Sequence, residues 1–281
     1  AIGSSVSPAF YQVKDNSMVE PRSSPSLLVI AGDAPATLYA VHRLFDVYPA
    51  SRWLMPDWNA THLSKPEGNQ AKRPILTRLT RVLRSRLLAH VIHRRNLRIQ
   101  QHLPFPDAFR QRSPEMVLNA HEFNLPTSWE RVLPWRPDLI VTAGAPILND
   151  SWLTMTPLGC INVHFGIAPD YRGEHTLFFP LLERRFDQLG LTIHLLDRGI
   201  DKGPILAHVY PALDGSEDEA ALWAKCSLLA ARVLPEVVEA VWNKRARPIQ
   251  QPTQGRLIRY IDRTMWHEVR SRVFRFRPPA R

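Results

Sequence analysis

Three polar residues with complementary chemistry occur on two apolar segments of the chain. Asn162 and His164 share the run Ile-Asn-Val-His, and Asp201 follows in a glycine-flanked turn. An amide can hold a carbonyl oxygen, an imidazole can take up a proton, and a carboxylate can hold or relay that proton. Together the three side chains could transfer an acyl group to an amine without a covalent intermediate.

Each of these residues alone is weak evidence of catalysis. A histidine at the end of a strand is more often a hydrogen-bonded structural residue than a catalyst. An aspartate between glycines usually serves the turn itself, and Gly199–Pro204 would be read as an ordinary loop. The hypothesis therefore depends on the combination, and on elements that bring the three residues together.

Alternating strands and helices are expected to position these residues. Short apolar runs predict buried strands over 27–31, 138–142, 160–164, 190–196 and 205–209. Helical spacing predicts helices over 36–48, 76–99 and 175–185, and a long helix from a capping box with Ser216 at the N-cap to about Trp242. Residues 50–75 and 102–126 look irregular. The pattern predicts an α/β fold with a doubly wound, mainly parallel sheet, whose ligands bind at the carboxyl ends of strands.

The positive charge of the chain is confined to two segments. The net charge is +10, yet residues 72–98 hold nine Lys/Arg without Asp/Glu, and residues 244–281 hold eleven. The remainder is net negative, so the basic pI is poor evidence for nucleic-acid binding.

No apolar run approaches 18 residues, which argues against a membrane span. The only two cysteines, Cys160 and Cys226, lie in apolar contexts and are expected to be reduced, as in a cytoplasmic protein.

Three regions are predicted along the chain. Residues 1–25 are rich in Ser and Pro and are interpreted as a disordered leader, without the apolar stretch of a signal peptide. Residues 26–243 are predicted to form the catalytic domain. Residues 244–281 are predicted to form a basic appendage, strand-like over 255–261 and then a short amphipathic helix. This appendage is expected to dock on the core or on a second copy of the chain, forming a homodimer.

Three linked segments carry a resemblance to a known family. Pro137–Gly144 looks like a central strand and turn, residues 162–173 fit N-x-H followed by P-x-Y-R-G, and residues 190–205 fit G-x-T-x-H followed by D-x-G-P-I. The sequence resembles the folate-dependent formyltransferases, which include glycinamide ribonucleotide, methionyl-tRNA and aminosugar formyltransferases. The resemblance covers about 137–241 well and 27–48 loosely, and it implies a Rossmann-like formyltransferase fold.

The resemblance also implies roles for individual residues. The catalytic trio falls on Asn162, His164 and Asp201, with 10-formyltetrahydrofolate as co-substrate and no metal. Asn162 and protonated His164 are expected to stabilise the oxyanion, Asp201 to accept the proton of the amine, and His194 to steady the Asp201 loop. The folate pocket is expected to form mostly from backbone at Ala145, Pro146, Ile147, Leu148, Asp197, Gly199 and Ile200. The acceptor side is expected to include Tyr171, Arg172 and Gly173.

The identity of the acceptor amine stays open in the sequence. Many family members read H-P-S where this chain has His164-Phe165-Gly166, and an acidic Glu174 follows Gly173. A nucleotide-linked aminosugar is preferred, with arginines of the two basic segments meeting its diphosphate. The alternatives are an N-hydroxyornithine-type siderophore precursor, methionyl-tRNA, and hydrolysis of formyltetrahydrofolate by water. The tail is shorter than the barrel of the tRNA enzymes, so nucleic acid is not the expected partner.

Overall fold

The computed structural model describes residues 24–58, 75–252 and 255–274, with the side chains of 75–85, 108, 273 and 274 left aside. The predicted leader therefore lies almost wholly outside the described residues, as does the beginning of the basic segment 72–98. None of the helices within the described ranges is both long enough and apolar enough to pass through a membrane.

Nine strands form two sheets in the described part of the chain. The strands are β1 (Leu27–Ala31), β2 (Arg52–Asp57), β3 (Met116–Asn119), β4 (Leu139–Ala143), β5 (Cys160–His164), β6 (Tyr171–Gly173), β7 (Leu191–Leu195), β8 (Ile205–Val209) and β9 (Arg256–Ile258). The large sheet has seven strands in the order β3-β2-β1-β4-β5-β7-β8, and the small sheet pairs β6 with β9. Strands β1 to β5 of the large sheet run parallel, whereas β7 is antiparallel to β5 and to β8.

Eight α-helices accompany the strands in the described ranges. They are α1 (Pro35–Val47), α2 (Ile75–His102), α3 (Asp107–Arg110), α4 (Pro126–Trp129), α5 (Asp150–Leu153), α6 (Phe178–Leu182), α7 (Glu219–Trp242) and α8 (Met265–Phe274). Short 3-10 turns lie at Leu133–Trp135, Phe186–Gln188 and Tyr260–Asp262. The prediction of an α/β fold with a mainly parallel sheet is confirmed.

Two strands occur where irregular structure was predicted. Strand β2 lies within 50–75, and β3 lies within 102–126. Pro56 lies inside β2 and breaks the apolar pattern that marks a buried strand, although Trp53 and Leu54 are buried. Strand β3 is short and half exposed at the edge of the sheet, so it lacks a continuous apolar run.

The cap of the long helix α7 also differs from the prediction. Asp218 is the N-cap, and its carboxylate accepts a hydrogen bond from the backbone N of Ala221 at 3.0 Å. Ser216 instead turns back, and its backbone N donates to Asp214 at 2.9 Å. The buried Glu217 accepts from the backbone N of Asp214 and pairs with Lys225. Different acidic side chains therefore accept hydrogen bonds from the backbone N–H groups of the turn before α7 and from those of the first turn of α7.

The two faces of the large sheet have different coverings. Odd-numbered residues such as Val29, Val141 and Ile161 pack under α1 and α7 in the main core. Even-numbered residues of the opposite face pack at β1 and β4 against Phe123 and Trp152. Because side chains alternate along a strand, the later even-numbered residues of β4, β5 and β7 lie on this same face of the sheet, and their side chains are polar. These are Thr142, Asn162, His164 and His194.

The C-terminal residues pack onto the rest of the chain. Strand β9 pairs in parallel with β6, and α8 lies against α6. Arg263 is 1% exposed; it donates to both carboxylate oxygens of Glu219 at 2.8 Å and to Glu268 at 2.6 Å. Its guanidinium carbon also lies 3.7 Å from the centre of the Phe178 ring. Paired and hydrogen-bonded charges of this kind are costly to separate, so they anchor the segment to α7.

Candidate active site

The amide of Asn162 is held on three sides. Its Oδ1 accepts a hydrogen bond from the Thr142 hydroxyl at 2.7 Å, across the β4–β5 pair. Its Nδ2 lies 3.1 Å from His194 Nε2 and 3.3 Å from Asp201 Oδ1. The hydroxyl at one end and the carboxylate at the other fix the orientation of the amide, since only its nitrogen can donate to Asp201.

His164 bridges a backbone carbonyl and the carboxylate. Its Nε2 lies 2.8 Å from the carbonyl oxygen of Tyr171, and its Nδ1 lies 3.2 Å from Asp201 Oδ2. The ring is buried. It can donate to both oxygens only when it is doubly protonated, so the arrangement suits a cationic ring beside a carboxylate.

Asp201 is the centre of the cluster. Its Oδ2 accepts a hydrogen bond from the backbone N of Gly173 at 2.8 Å, and His194 Nε2 lies 3.5 Å from its Oδ1. Burial alone would raise the pKa of this carboxyl, but His164, His194 and the Gly173 N–H hold it well below its ordinary value. The carboxylate is therefore ionised at neutral pH and serves as a fixed negative charge.

The backbone of the Asp201 turn is supported from two directions. Asp201 itself adopts the left-handed region with φ 49°. The Arg172 guanidinium donates to the carbonyl of Ile200 at 3.2 Å, and Gln251 Nε2 donates to the carbonyls of Asp201 at 3.1 Å and Gly203 at 2.6 Å. A conformation this uncommon for a non-glycine residue persists where its surroundings over-determine it.

A cavity of about 890 Å³ opens beside the trio, which contributes to its wall. The two predicted folate loops also line it, with Ala145, Pro146, Ile147, Leu148, Asp197, Gly199 and Ile200. An ion pair between Arg198 and Asp150 at 2.5 Å joins the second loop to the start of α5. Much of the lining is apolar with a few polar groups, as is usual for a small-molecule site.

The predicted acceptor residues have different positions. Gly173 lines the cavity, whereas Tyr171 and Arg172 are not among the residues that line it. The Tyr171 hydroxyl donates to Glu183 at 2.7 Å, and Arg172 donates to the carbonyl of Gly255 at 2.9 Å as well as to that of Ile200. Both side chains thus support β6 and the Asp201 turn. Their contact with an acceptor stays a prediction.

His194 lies behind the trio. It is completely buried, its Nδ1 lies 2.8 Å from the carbonyl oxygen of Leu195, and its Nε2 faces Asn162 and Asp201. This placement suits the expected steadying role, which stays a prediction together with the roles of the trio.

Several residues of the cavity were given no role by sequence reasoning. Among them are Trp223 from α7, Glu174 and His175 after β6, and Leu257, Ile258 and Tyr260 at and after β9. Glu174 and His175 directly follow the Tyr-Arg-Gly motif, and this position in the sequence is the signal that could have identified them as cavity residues. No local pattern could have placed residues 257–260 here, because they reach the site through the β6–β9 pairing. Within the described ranges, no group of His, Cys, Asp or Glu side chains is arranged to hold a metal ion.

Comparison with known proteins supplies independent evidence. A family model described as formyl transferase matches residues 92–238. The methionyl-tRNA formyltransferase of Myxococcus xanthus is 29% identical over 143 residues, which are 50% of this chain and 46% of that protein. That of Pelobacter propionicus is 32% identical over 136 residues, 48% of this chain and 42% of that protein. The matched region thus spans less than half the length of these curated relatives.

Solved structures share the fold at low sequence identity. A sugar N-formyltransferase from a Shewanella species has a TM-score of 0.53 at 14% identity, covering 84% of this chain and 77% of that one. A glycinamide ribonucleotide transformylase from Symbiobacterium toebii has a TM-score of 0.50 at 17% identity, covering 81% and 95%. The family model spans just over half of the sequence and includes Asn162, His164 and Asp201. The chain belongs to the formyl transferase family.

Proposed function

We propose that this protein transfers a formyl group from 10-formyltetrahydrofolate to the amine of a small acceptor, a nucleotide-linked aminosugar. The observation that carries the proposal is the contact of Asn162, His164 and Asp201 at the wall of one cavity, in a chain of the formyl transferase family. An amide, an imidazole and an ionised carboxylate are the groups that acyl transfer to an amine requires.

The proton chemistry follows from Asp201. The incoming amine must lose a proton, and the ionised carboxylate can accept it directly or through one water. The cationic His164 ring, 3.2 Å from Asp201, can in turn give a proton to the folate nitrogen that leaves when its bond to the formyl carbon breaks. Asp201 also orients the His164 ring, because its Oδ2 faces Nδ1.

The developing oxyanion needs donors that are not already committed. The amide nitrogen of Asn162 lies 3.1 Å from His194 Nε2 and 3.3 Å from Asp201 Oδ1. The amide hydrogen directed at Asp201 makes the longer of the two contacts. We infer that this hydrogen is redirected to the substrate oxygen, while the Thr142 and His194 contacts keep the amide in place.

The residues of the cavity suit a folate. The loops at 145–148 and 197–200 present backbone groups, which match the amide-like edge of a pterin, and the cavity size lies in the usual range for such ligands. When bound, 10-formyltetrahydrofolate supplies the formyl group. Ala145, Pro146, Ile147 and Leu148 would hold it on one side, and Asp197, Gly199 and Ile200 on the other.

The curated relatives suggest methionyl-tRNA as a second candidate acceptor. The two curated relatives cited above are methionyl-tRNA formyltransferases. The described part of the basic segment 72–98 belongs to helix α2, where Arg95 and Arg98 pair with Glu219 and Asp218. Because these two arginines are occupied by carboxylates of α7, they are poorer phosphate ligands than the sequence suggested. This weakens phosphate binding by these two arginines, for a tRNA and for a nucleotide diphosphate alike.

The proposal is tested by formyl transfer to a panel of acceptors. The panel contains thymidine- and uridine-diphosphate-linked aminosugars, N-hydroxyornithine and methionyl-tRNA, and tetrahydrofolate release is followed with and without each. We expect release that depends on an aminosugar nucleotide. Asn162→Ala, His164→Ala and Asp201→Ala are each expected to lower kcat by about 10²–10⁴-fold.

The controls separate catalysis from folding. Circular dichroism of the three variants should match that of the wild-type protein, and His121→Ala near β3 should keep full activity. Wild-type turnover in His164→Ala would overturn the mechanism. Formylation of methionyl-tRNA alone would overturn the choice of acceptor, and acceptor-independent release would indicate a hydrolase.

A further inference from the structure

A groove between helices α2 and α8 brings the two basic segments of the chain together. Its volume is about 740 Å³, and we call it the α2–α8 groove. Met265, Ser271 and Arg272 of α8 line it. The residues that line it from α2 recur at helical spacing, namely Leu87, His90, Val91, Arg94, Arg95 and Arg98. Segments that are far apart in the sequence therefore place positive charges around one groove.

A chain of ion pairs holds the two sides of this groove together. Glu219, at the start of α7, accepts hydrogen bonds from Arg95 at 3.0 Å and from Arg263 at 2.8 Å. Arg263 also donates to Glu268 of α8 at 2.6 Å. One carboxylate and one arginine side chain therefore span the distance from the α2 arginine to the α8 carboxylate.

Two arginines of the groove have no carboxylate partner. Five arginines and three carboxylates line it. Asp218 pairs with Arg98, and the other two carboxylates belong to the chain of ion pairs. Arg94 and Arg272 form no ion pair with any residue that the structure describes, and both are exposed. The groove therefore has a surplus of two positive charges that solvent can reach.

Arg94 and Arg272 lie next to the paired residues. Arg94 precedes Arg95 on α2, and Arg272 lies one turn after Glu268 on α8. Residues four apart are neighbours on a helix surface, so both guanidiniums extend from the two sides that the ion pairs hold together. Guanidiniums bind phosphate oxygens through paired N–H donors, and a phosphate group carries up to two negative charges at neutral pH.

Aliphatic side chains lie beside these cations. Leu87 is 43% exposed, and Val91 and Met265 are half-buried. Apolar surface next to unpaired positive charge favours a ligand whose phosphate is attached to a flat or apolar group. The volume lies in the usual range for small-molecule sites, and a groove between helices suits a soluble molecule better than a membrane surface.

We propose that the α2–α8 groove is a second binding site, which takes a soluble nucleotide. Arg94 and Arg272 bind its phosphate oxygens, and the aliphatic side chains pack against its base. Among the described residues only Arg95 lines both this groove and the active-site cavity, and none of the trio lines the groove. The inference goes beyond the proposed formyl transfer and does not depend on it, because binding in the groove requires no folate.

The test measures nucleotide binding in the absence of folate. Thymidine diphosphate is titrated into the full-length protein by calorimetry, with thymidine and inorganic pyrophosphate as comparison probes. Arg94→Gln and Arg272→Gln should each raise the Kd of thymidine diphosphate by about 10-fold, the usual effect of one lost charge-assisted hydrogen bond. Pyrophosphate should bind more weakly than the nucleotide, because it lacks the base. Thymidine should bind more weakly still, because it lacks the phosphates.

Matched variants separate the groove from the general charge of the protein. Arg86→Gln removes the same charge from an exposed position of α2 outside the groove, and Arg232→Gln removes it from an exposed position of α7. Both should keep the wild-type Kd. Arg94→Lys keeps the charge but not the planar fork, so its Kd should lie between those of Arg94→Gln and the wild-type protein.

A variant of the trio distinguishes the groove from the active-site cavity. His164→Ala should bind thymidine diphosphate with the wild-type Kd, because His164 lines the other cavity. Loss of binding in His164→Ala, with full binding in Arg94→Gln and Arg272→Gln, would overturn the inference. Equal weakening by Arg86→Gln, or no nucleotide binding by the wild-type protein, would also overturn it. Binding to phosphatidic-acid vesicles through the two arginines, without nucleotide binding, would reject the soluble ligand in favour of a lipid.

Discussion

At the scale of single residues, the Thr142 hydroxyl determines which end of the Asn162 amide faces Asp201. Thr142 is 1% exposed and is the donor to Asn162 Oδ1. Thr142→Val keeps the shape of the side chain and removes that donor. We expect kcat to fall by about 10-fold, because one hydrogen bond of about 1.4 kcal/mol then no longer positions the amide.

The matched control for this substitution is Thr154→Val. The exposed Thr154, directly after α5, donates its hydroxyl hydrogen to the backbone carbonyl oxygen of Asp150 at 2.8 Å. Formyl-transfer kinetics should distinguish the two valine variants. Equal kcat values in both would show that the Thr142 hydroxyl does not position the amide.

His175 also makes the stability of the fold depend on pH. Its folded pKa of about 4 lies below the ordinary histidine value of 6.5, mainly through burial and Arg263. Between these values the unfolded chain binds a proton that the folded chain does not, so stability falls as pH falls through this window. The loss amounts to at most about 3 kcal/mol.

The measurement is urea denaturation at several pH values across that window. The free energy of unfolding of His175→Asn should fall less steeply with decreasing pH than that of the wild-type protein. Thr154→Val removes no histidine and should keep the wild-type slope. Parallel curves for His175→Asn and the wild-type protein would contradict the assignment of a neutral buried ring.

At the scale of elements, the Arg263 cluster joins α7 to the C-terminal segment. Arg263→Met would leave Glu219 and Glu268 without their main partner in a buried environment. We expect a loss of about 3–5 kcal/mol in the free energy of unfolding. Arg245→Met is the control, because Arg245 and Glu239 form an exposed pair worth about 0–1 kcal/mol. Equal losses in chemical denaturation would contradict the anchoring role.

The elements that sequence reasoning predicted are those with local signals. Strands β1, β4, β5, β7 and β8 are short, mainly apolar segments, and their order along the chain was enough to predict the sheet. Strand β2 was missed because Pro56 interrupts its pattern, although it pairs with β1 and β3. The cap of α7 was misassigned because Ser216 and Asp218 are both good capping residues, and only the folded turn distinguishes them.

The site residues that could be predicted from the sequence are those that lie in the linked motifs. Asn162, His164 and Asp201 do come together, as the hypothesis required, and their catalytic roles stay a prediction. The cavity lies where it was expected, because residues at and just after the carboxyl ends of β4 and β5 line it; the polar side chains of β4, β5 and β7 also share one face of the sheet. The reversed direction of β7, which places His194 opposite Asn162, had no signature in its apolar run.

At the scale of the whole molecule, the predicted catalytic domain 26–243 is tested by removing the residues after it. A chain that ends at Asn243 lacks the Gln251 support of the Asp201 turn, the cavity wall at 257–260 and the Arg263 cluster. We expect it to lose formyl transfer and to unfold at a lower urea concentration. A chain that ends at Phe274 keeps β9 and α8 and is the control. Full activity of the shorter chain would establish the independent domain.

The pairing of β6 with β9 has a consequence for protein synthesis. Strand β6 carries Gly173, whose backbone N holds Asp201, and its partner β9 is made more than eighty residues later. On the ribosome, the trio is translated well before the strand that completes its surroundings. A nascent chain can therefore assemble the large sheet before its cavity is closed on that side. Competence for the reaction is expected only once residues beyond Arg263 have left the exit tunnel.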